Sequence, residues 1–319
     1  MKKIEPYQLF ITFSTGILLS YIYIKVVVSK NIFLSVTLLK SITDGTAPQP
    51  YNHRVLIPYL NELIINFFES INLSFYFLNN PYNQSFSLVT YYNITITLVF
   101  IFSVFSLMYF NKKYITKTNI ITIYFFNIFF IASTFINHGF QPWSYLDIGL
   151  YPLSFVLLNK KKPNYILFYL VCFISILNRE TGLLILSFPL VKNLFNDKRI
   201  SLKSIYFFLI MTIGCVLYYL FLKTLPFSEN VNSILDVFKE NISVRMIIQS
   251  VIIYYWMYFI LVKSNLNYII NSWISLPFLV LFGFVLVYGI WIESRMFLPF
   301  LFYFNFLINN KLNEKTLSL

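Results

Sequence analysis

The chain has 319 residues, of which 58% are hydrophobic and only 11% charged, with a mean hydropathy of +0.70. That balance excludes a soluble globule of ordinary composition and points to a polytopic membrane protein. The formal net charge of +12 would suit a nucleic-acid-binding domain, but here Lys and Arg cluster between apolar runs, so the charge reads as topogenic and no nucleic-acid partner is expected.

Met1, Lys2 and Lys3 precede an apolar run over residues 9–28, long enough to be retained as a first span rather than cleaved as a signal. With the N-terminus inside, residues 31–85 become the first outer loop. Within it, Leu56, Ile57, Leu60, Leu63, Ile64, Phe67 and Phe68 share one helical face, with Asn61, Glu62 and Asn66 opposite. This is the pattern of an amphipathic helix lying in the interface. Spans over 86–110, 120–136 and 143–158 follow, and Lys112, Lys113, Lys117 and then Lys160, Lys161 and Lys162 mark their inner ends.

The next stretch carries most of the functional argument. Two apolar arms, 165–177 and 183–195, flank Asn178-Arg179-Glu180-Thr181-Gly182. Neither arm reaches the ~20 residues a span needs, and a single continuous helix would hold Arg179 and Glu180 at the bilayer centre, at about 3 kcal/mol or more for each unpaired charge. A broken hairpin, with its polar tip below the outer surface in a cavity lined by other helices, is the preferred reading. Thr181 is then expected as the N-cap of the arm beginning at Leu183, turning the positive end of a short helix toward the cavity.

Further spans are expected over 205–222, 247–262, 268–291 and 296–308, with a second outer loop at 223–246. The expected fold is therefore all-α: a single transmembrane domain over 1–319, with about ten membrane-inserted segments including the hairpin arms, one interfacial helix and both termini cytoplasmic. Most Lys and Arg fall on the inner side in this arrangement, whereas the acids there are Glu5, Asp197 and Glu314. Cys172 and Cys215 lie inside apolar runs and read as packing thiols.

On this topology Asp44, Arg54, His138, Asp147, Asn178, Arg179, Glu180, Glu293 and Arg295 all fall at the outer end. Ordinary roles exist for each: a turn for Asp44-Gly45, a headgroup anchor for Arg54, a Gly- and Pro-rich turn for His138, and ion pairs closing the bundle for the rest. Their coincidence at one end favours a shared site. The expected partner of Arg179 is Asp147 or Glu293, and that of Glu180 is Arg54 or Arg295.

The run Pro50-Tyr51-Asn52-His53-Arg54-Val55-Leu56-Ile57-Pro58-Tyr59-Leu60, the Asp147 segment, Leu177-Asn178-Arg179-Glu180-Thr181, and Glu293-Ser294-Arg295-Met296-Phe297-Leu298-Pro299 resemble motifs that occur in the same order in a large group of bacterial membrane proteins. Those in turn resemble the GT-C class of polytopic glycosyltransferases. The resemblance spans about Pro50 to Pro299. It implies transfer of a sugar from a polyprenyl-phosphate donor to a glycan or lipid acceptor at the outer face of the bacterial plasma (inner) membrane. It also implies a carboxylate base in the first outer loop beside an interfacial helix, a position that only Asp44 matches. The class's usual acidic pair in that loop and its large soluble C-terminal domain are absent.

On that reading Asp44 deprotonates the acceptor hydroxyl, and Arg54, Arg179 or Arg295 receive the departing phosphate. The surplus of carboxylates over arginines at the outer end leaves room for a divalent cation, magnesium or manganese, or for a protonated acid. Two alternatives remain: an O-antigen or capsule polymerase, and a non-enzymatic transporter or lipid flippase.

Overall fold

The computed structural model describes residues 6–28, 32–44, 46, 54–71, 85–116, 119–135, 142–160, 162–197, 202–223, 273–288 and 294–317. Among them all the regular secondary structure is helical, with no strand. The elements are α1 (Pro6–Tyr23, continued as a π-helix, Ile24–Val28), α2 (Ile32–Thr43), α3 (Leu56–Ser70), α4 (Ser85–Tyr114), α5 (Ile120–Ser133), α6 (Trp143–Leu158), α7 (Tyr165–Asn178), a 3-10 turn (Glu180–Gly182), α8 (Leu183–Leu186), α9 (Phe188–Asp197), α10 (Leu202–Lys223), α11 (Ser275–Tyr288), a 3-10 segment (Ser294–Phe300) and α12 (Leu301–Leu317). Apart from Lys223, the last residue of α10, the expected loop at 223–246 lies outside the described residues, as do the span expected at 247–262, His138 and Glu293.

Two helices, Pro6–Val27 and Tyr91–Tyr114, are long and apolar enough to cross a membrane; Trp143–Leu158, Tyr165–Asn178 and several others are apolar but shorter. Large apolar side chains face outward around the bundle, among them Phe10, Phe125, Ile166, Leu202 and Ile213. A water-facing surface would not carry so many.

α6 is the axis. Fifteen of its sixteen residues are buried, with α4 and α7 against its flanks and the 294–300 segment closing another side. Close approach to α4 comes from Gly149, where a Cβ would lie 2.8 Å from the Phe102 ring and 3.0 Å from Ser103 Cα, and Ser103 Oγ donates to the Tyr145 carbonyl at 2.7 Å. Tyr23, Phe100, Phe135 and Tyr145 pack ring to ring between α1, α4 and α6. α1 runs antiparallel to α4, with Gly16 against the Ile101 backbone and Ser20 bonded to Thr97.

Polar contacts gather the lysine-rich helix ends at one pole. Lys112 donates to Gln8 at 2.7 Å, Lys192 to the Leu158 carbonyl at 2.9 Å. Asn305 bonds Asn111, while Asn309 accepts from Thr116 and Asn119. These pairs bring the N-terminus of α1 and the C-termini of α4, α6, α9 and α12 together, the grouping that the lysine clusters predict.

Candidate functional site

α7 stops because Arg179 leaves the helix: its φ of −166° and ψ of 153° are extended. The chain turns through Glu180–Gly182 and resumes as α8. Gly182 sits directly on the last turn of α7, where a Cβ would fall 2.4 Å from the Ser175 carbonyl carbon and 2.6 Å from Ile176 N. No side chain fits between two backbones that close, so the tip requires glycine here.

Asp147, fully buried in α6, fastens this tip. Its Oδ1 accepts from Asn178 Nδ2 at 2.8 Å and its Oδ2 from Thr181 Oγ1 at 3.3 Å. Asn178 Nδ2 also donates to the Trp143 carbonyl at 2.9 Å, and the Tyr151 hydroxyl donates to the Thr181 carbonyl at 2.5 Å. One backbone carbonyl at the break, that of Thr181, is thus met from α6, and the side chains of Asn178 and Thr181 are fastened there as well. Arg179, 3% exposed, donates from Nη1 to Ser144 Oγ at 3.1 Å.

One expectation changes. Thr181 does not cap α8; Gly182 takes the N-cap position without a side-chain bond, and the Thr181 hydroxyl is committed to Asp147. Arg179 was expected to face Asp147 or Glu293: Asn178 and Thr181 on either side of it both bond Asp147, it also donates to Ser144, and Glu293 lies outside the described residues.

The second arginine arrives from just before α3. Arg54, 7% exposed, lies with its guanidinium 5.1 Å from the centre of the Trp143 ring, within range of a cation–π contact. α3 then climbs beside α4, its Asn61 Oδ1 accepting from Thr95 at 2.9 Å and Phe68 stacked on Tyr91 at 5.6 Å. The helix expected to lie in the interface is therefore inclined against α4, with its N-terminal end deepest: Ile57 and Pro58 are buried, Leu63 and Phe67 exposed.

Depth can be read from α4. Ser103, bonded to the Tyr145 carbonyl, lies roughly 27 Å from the first residue and 17 Å from the last of α4 (Ser85–Tyr114) at about 1.5 Å per residue, and Trp143 and Ser144 precede Tyr145 on a helix that runs parallel to α4. Arg54, Trp143, Ser144 and Arg179 therefore lie near the middle of the longest apolar helix. Buried charges at such depth mark a functional position unless they serve only each other.

Asp44, expected on an open loop, instead ends α2, its amide bonded to the Lys40 carbonyl at 2.9 Å. It lines a cavity of about 220 Å³ between α2, α3 and α4, together with Lys40, Asn61, Glu62, Asn66 and Tyr92. Glu62 was not among the sequence candidates. The signal was its place on the polar face of α3, opposite the apolar stripe. Glu180 opens the 3-10 turn and Arg295 lies in the 294–300 segment, with side chains outside the described set. Among the described residues no three His, Cys, Asp or Glu side chains come together to hold a metal ion. Asp44 and Glu62 bring two carboxylates to the same cavity.

Comparison with protein-family models, curated proteins and solved structures gives no match to this chain.

Proposed function

We propose that the protein is a multi-pass membrane glycosyltransferase of the GT-C kind in the bacterial plasma membrane, taking a sugar from a polyprenyl-phosphate carrier at the outer face. The observation that carries the reading is the convergence of two buried arginines, Arg54 and Arg179, on consecutive residues, Trp143 and Ser144, at the start of α6. Guanidinium groups are the preferred ligands of phosphate oxygens, and their low-dielectric surroundings strengthen the attraction for a phosphate in a lipid-borne donor.

The division of labour follows. Arg54 and Arg179 bind the phosphate and stabilise the charge that it gains when the glycosidic bond to the sugar breaks. Asp147, Asn178 and Thr181 hold the hairpin tip so that Arg179 stays aimed. Asp44, exposed at the end of α2, takes the proton of the acceptor hydroxyl.

The test is transfer from a polyprenyl-phosphate sugar in proteoliposomes, run beside donor binding. Asp44→Asn is expected to abolish transfer and keep donor binding, whereas Arg54→Ala weakens donor binding. Full transfer by Asp44→Asn removes the base assignment.

A carrier is the second reading. The buried asparagines Asn111, Asn119, Asn305 and Asn309 continue polarity to the lysine-rich pole, which a transport path would use. Movement of a lipid-linked sugar across liposomes without transfer establishes that reading instead.

A further inference from the structure

The cavity between α2, α3 and α4 differs in character from the arginine site at the start of α6. Among the described lining residues one cation, Lys40, stands with two carboxylates, Asp44 and Glu62, so the described lining is net negative. The other described lining residues are Thr43, two carboxamides, Asn61 and Asn66, the buried Tyr92, and the apolar Leu39, Pro58 and Ile65. A phosphate or carboxylate entering it meets like charge, while a hydroxyl-rich neutral molecule finds acceptors for its O–H groups and flat apolar walls for its C–H faces. Asn61 is pre-set: its Oδ1 accepts from Thr95 at 2.9 Å, which leaves the amide N–H groups for a ligand.

We infer that this cavity is the acceptor subsite, that it takes an uncharged or amine-bearing glycosyl unit, and that Glu62 is the residue that discriminates against anionic sugars. The inference rests on the glycosyltransferase reading and adds to it the charge class of the acceptor. It also separates the two substrates physically. The anionic donor group goes to Arg54 and Arg179 near mid-helix depth, and the acceptor unit waits beside α3, whose first turn follows directly from Arg54. Asp44 belongs to the acceptor side, where a base must be.

The experiment is saturation-transfer NMR on the full chain in lipid nanodiscs, with methyl glucoside and methyl glucuronide as probes. Wild type is expected to saturate the glucoside and to bind the glucuronide about fivefold more weakly, a factor in keeping with like-charge repulsion at a solvated site. Glu62→Gln narrows that gap. Asn66→Trp, placed at an exposed position of α3 where folding tolerates it, fills the cavity and removes the glucoside signal. No glucoside binding by wild type, a glucoside signal that survives Asn66→Trp, or a glucuronide bound as well as the glucoside overturns the inference.

The transfer assay keeps the two claims apart. Wild type that binds glucoside in the cavity and transfers nothing removes the enzyme reading and keeps the sugar site. Transfer undiminished by Asn66→Trp does the reverse.

Discussion

Asn178 Nδ2 donates to Asp147 Oδ1 at 2.8 Å and to the Trp143 carbonyl at 2.9 Å. One amide thereby ties the last residue of α7 to both the side chain and the backbone of α6's first turns. Every consequence of the helix break passes through this joint, because Arg179 is the next residue.

The joint should dominate stability at the tip. Asp147→Ala strands the donors of Asn178 and Thr181 in a buried site, each at about 1–3 kcal/mol. Thr181→Val removes only the longer of the two bonds and should cost about 1 kcal/mol. Thermal unfolding in nanodiscs checks the order; equal melting temperatures for wild type and Asp147→Ala would dismiss the joint as a structural element.

Gly182→Ala should be worse tolerated than its size suggests. The added Cβ meets the Ser175 and Ile176 backbone at 2.4–2.6 Å, and backbone yields less readily than a side chain. A cost at or above the ~1–3 kcal/mol typical of overpacking is expected, with raised protease sensitivity between α7 and α8. Wild-type protease resistance in this variant would mean that the tip is looser than described.

Arg54 offers a test of charge against shape. Arg54→Lys keeps the positive charge and loses the planar stack on Trp143, worth up to ~2 kcal/mol when desolvated, so donor binding should fall between wild type and Arg54→Ala. Trp143→Leu should mimic the lysine variant without removing charge. Donor affinity indifferent to Trp143→Leu would show that the stack does not position Arg54.

Sidedness is testable by impermeant thiol labelling. Single cysteines at Lys113 and Lys162 should react from the cytoplasmic side, and at Asp44 and Glu69 from the opposite side. Labelling of positions 113 and 44 from the same face would separate the arginine site from the outer surface and undo the proposed approach of donor and acceptor.

Periodicity and charge placement along the chain determine much of this protein. Leu56–Ser70 shows its amphipathic stripe, Trp143–Leu158 its apolar run, and the two short arms around Arg179 announce the break, because each depends only on neighbours within a few turns. The grouping of the lysine-rich ends is legible for the same reason: a cluster at each helix end needs no knowledge of what packs beside it.

Tertiary packing decided the partners. Asp147 binds Asn178 and Thr181 because α6 and α7 lie side by side at one particular height, at which the Trp143 carbonyl also meets Asn178 and the Tyr151 hydroxyl meets the Thr181 carbonyl. Arg54 reaches Trp143 only because α3 leans on α4. The same lean brings Glu62 to the cavity that Asp44 lines, making a pair of two carboxylates that stand on different helices. Contacts between distant segments depend on the tilt and offset of whole helices, and those are fixed by side-chain interlock across the bundle rather than by any pattern within one helix.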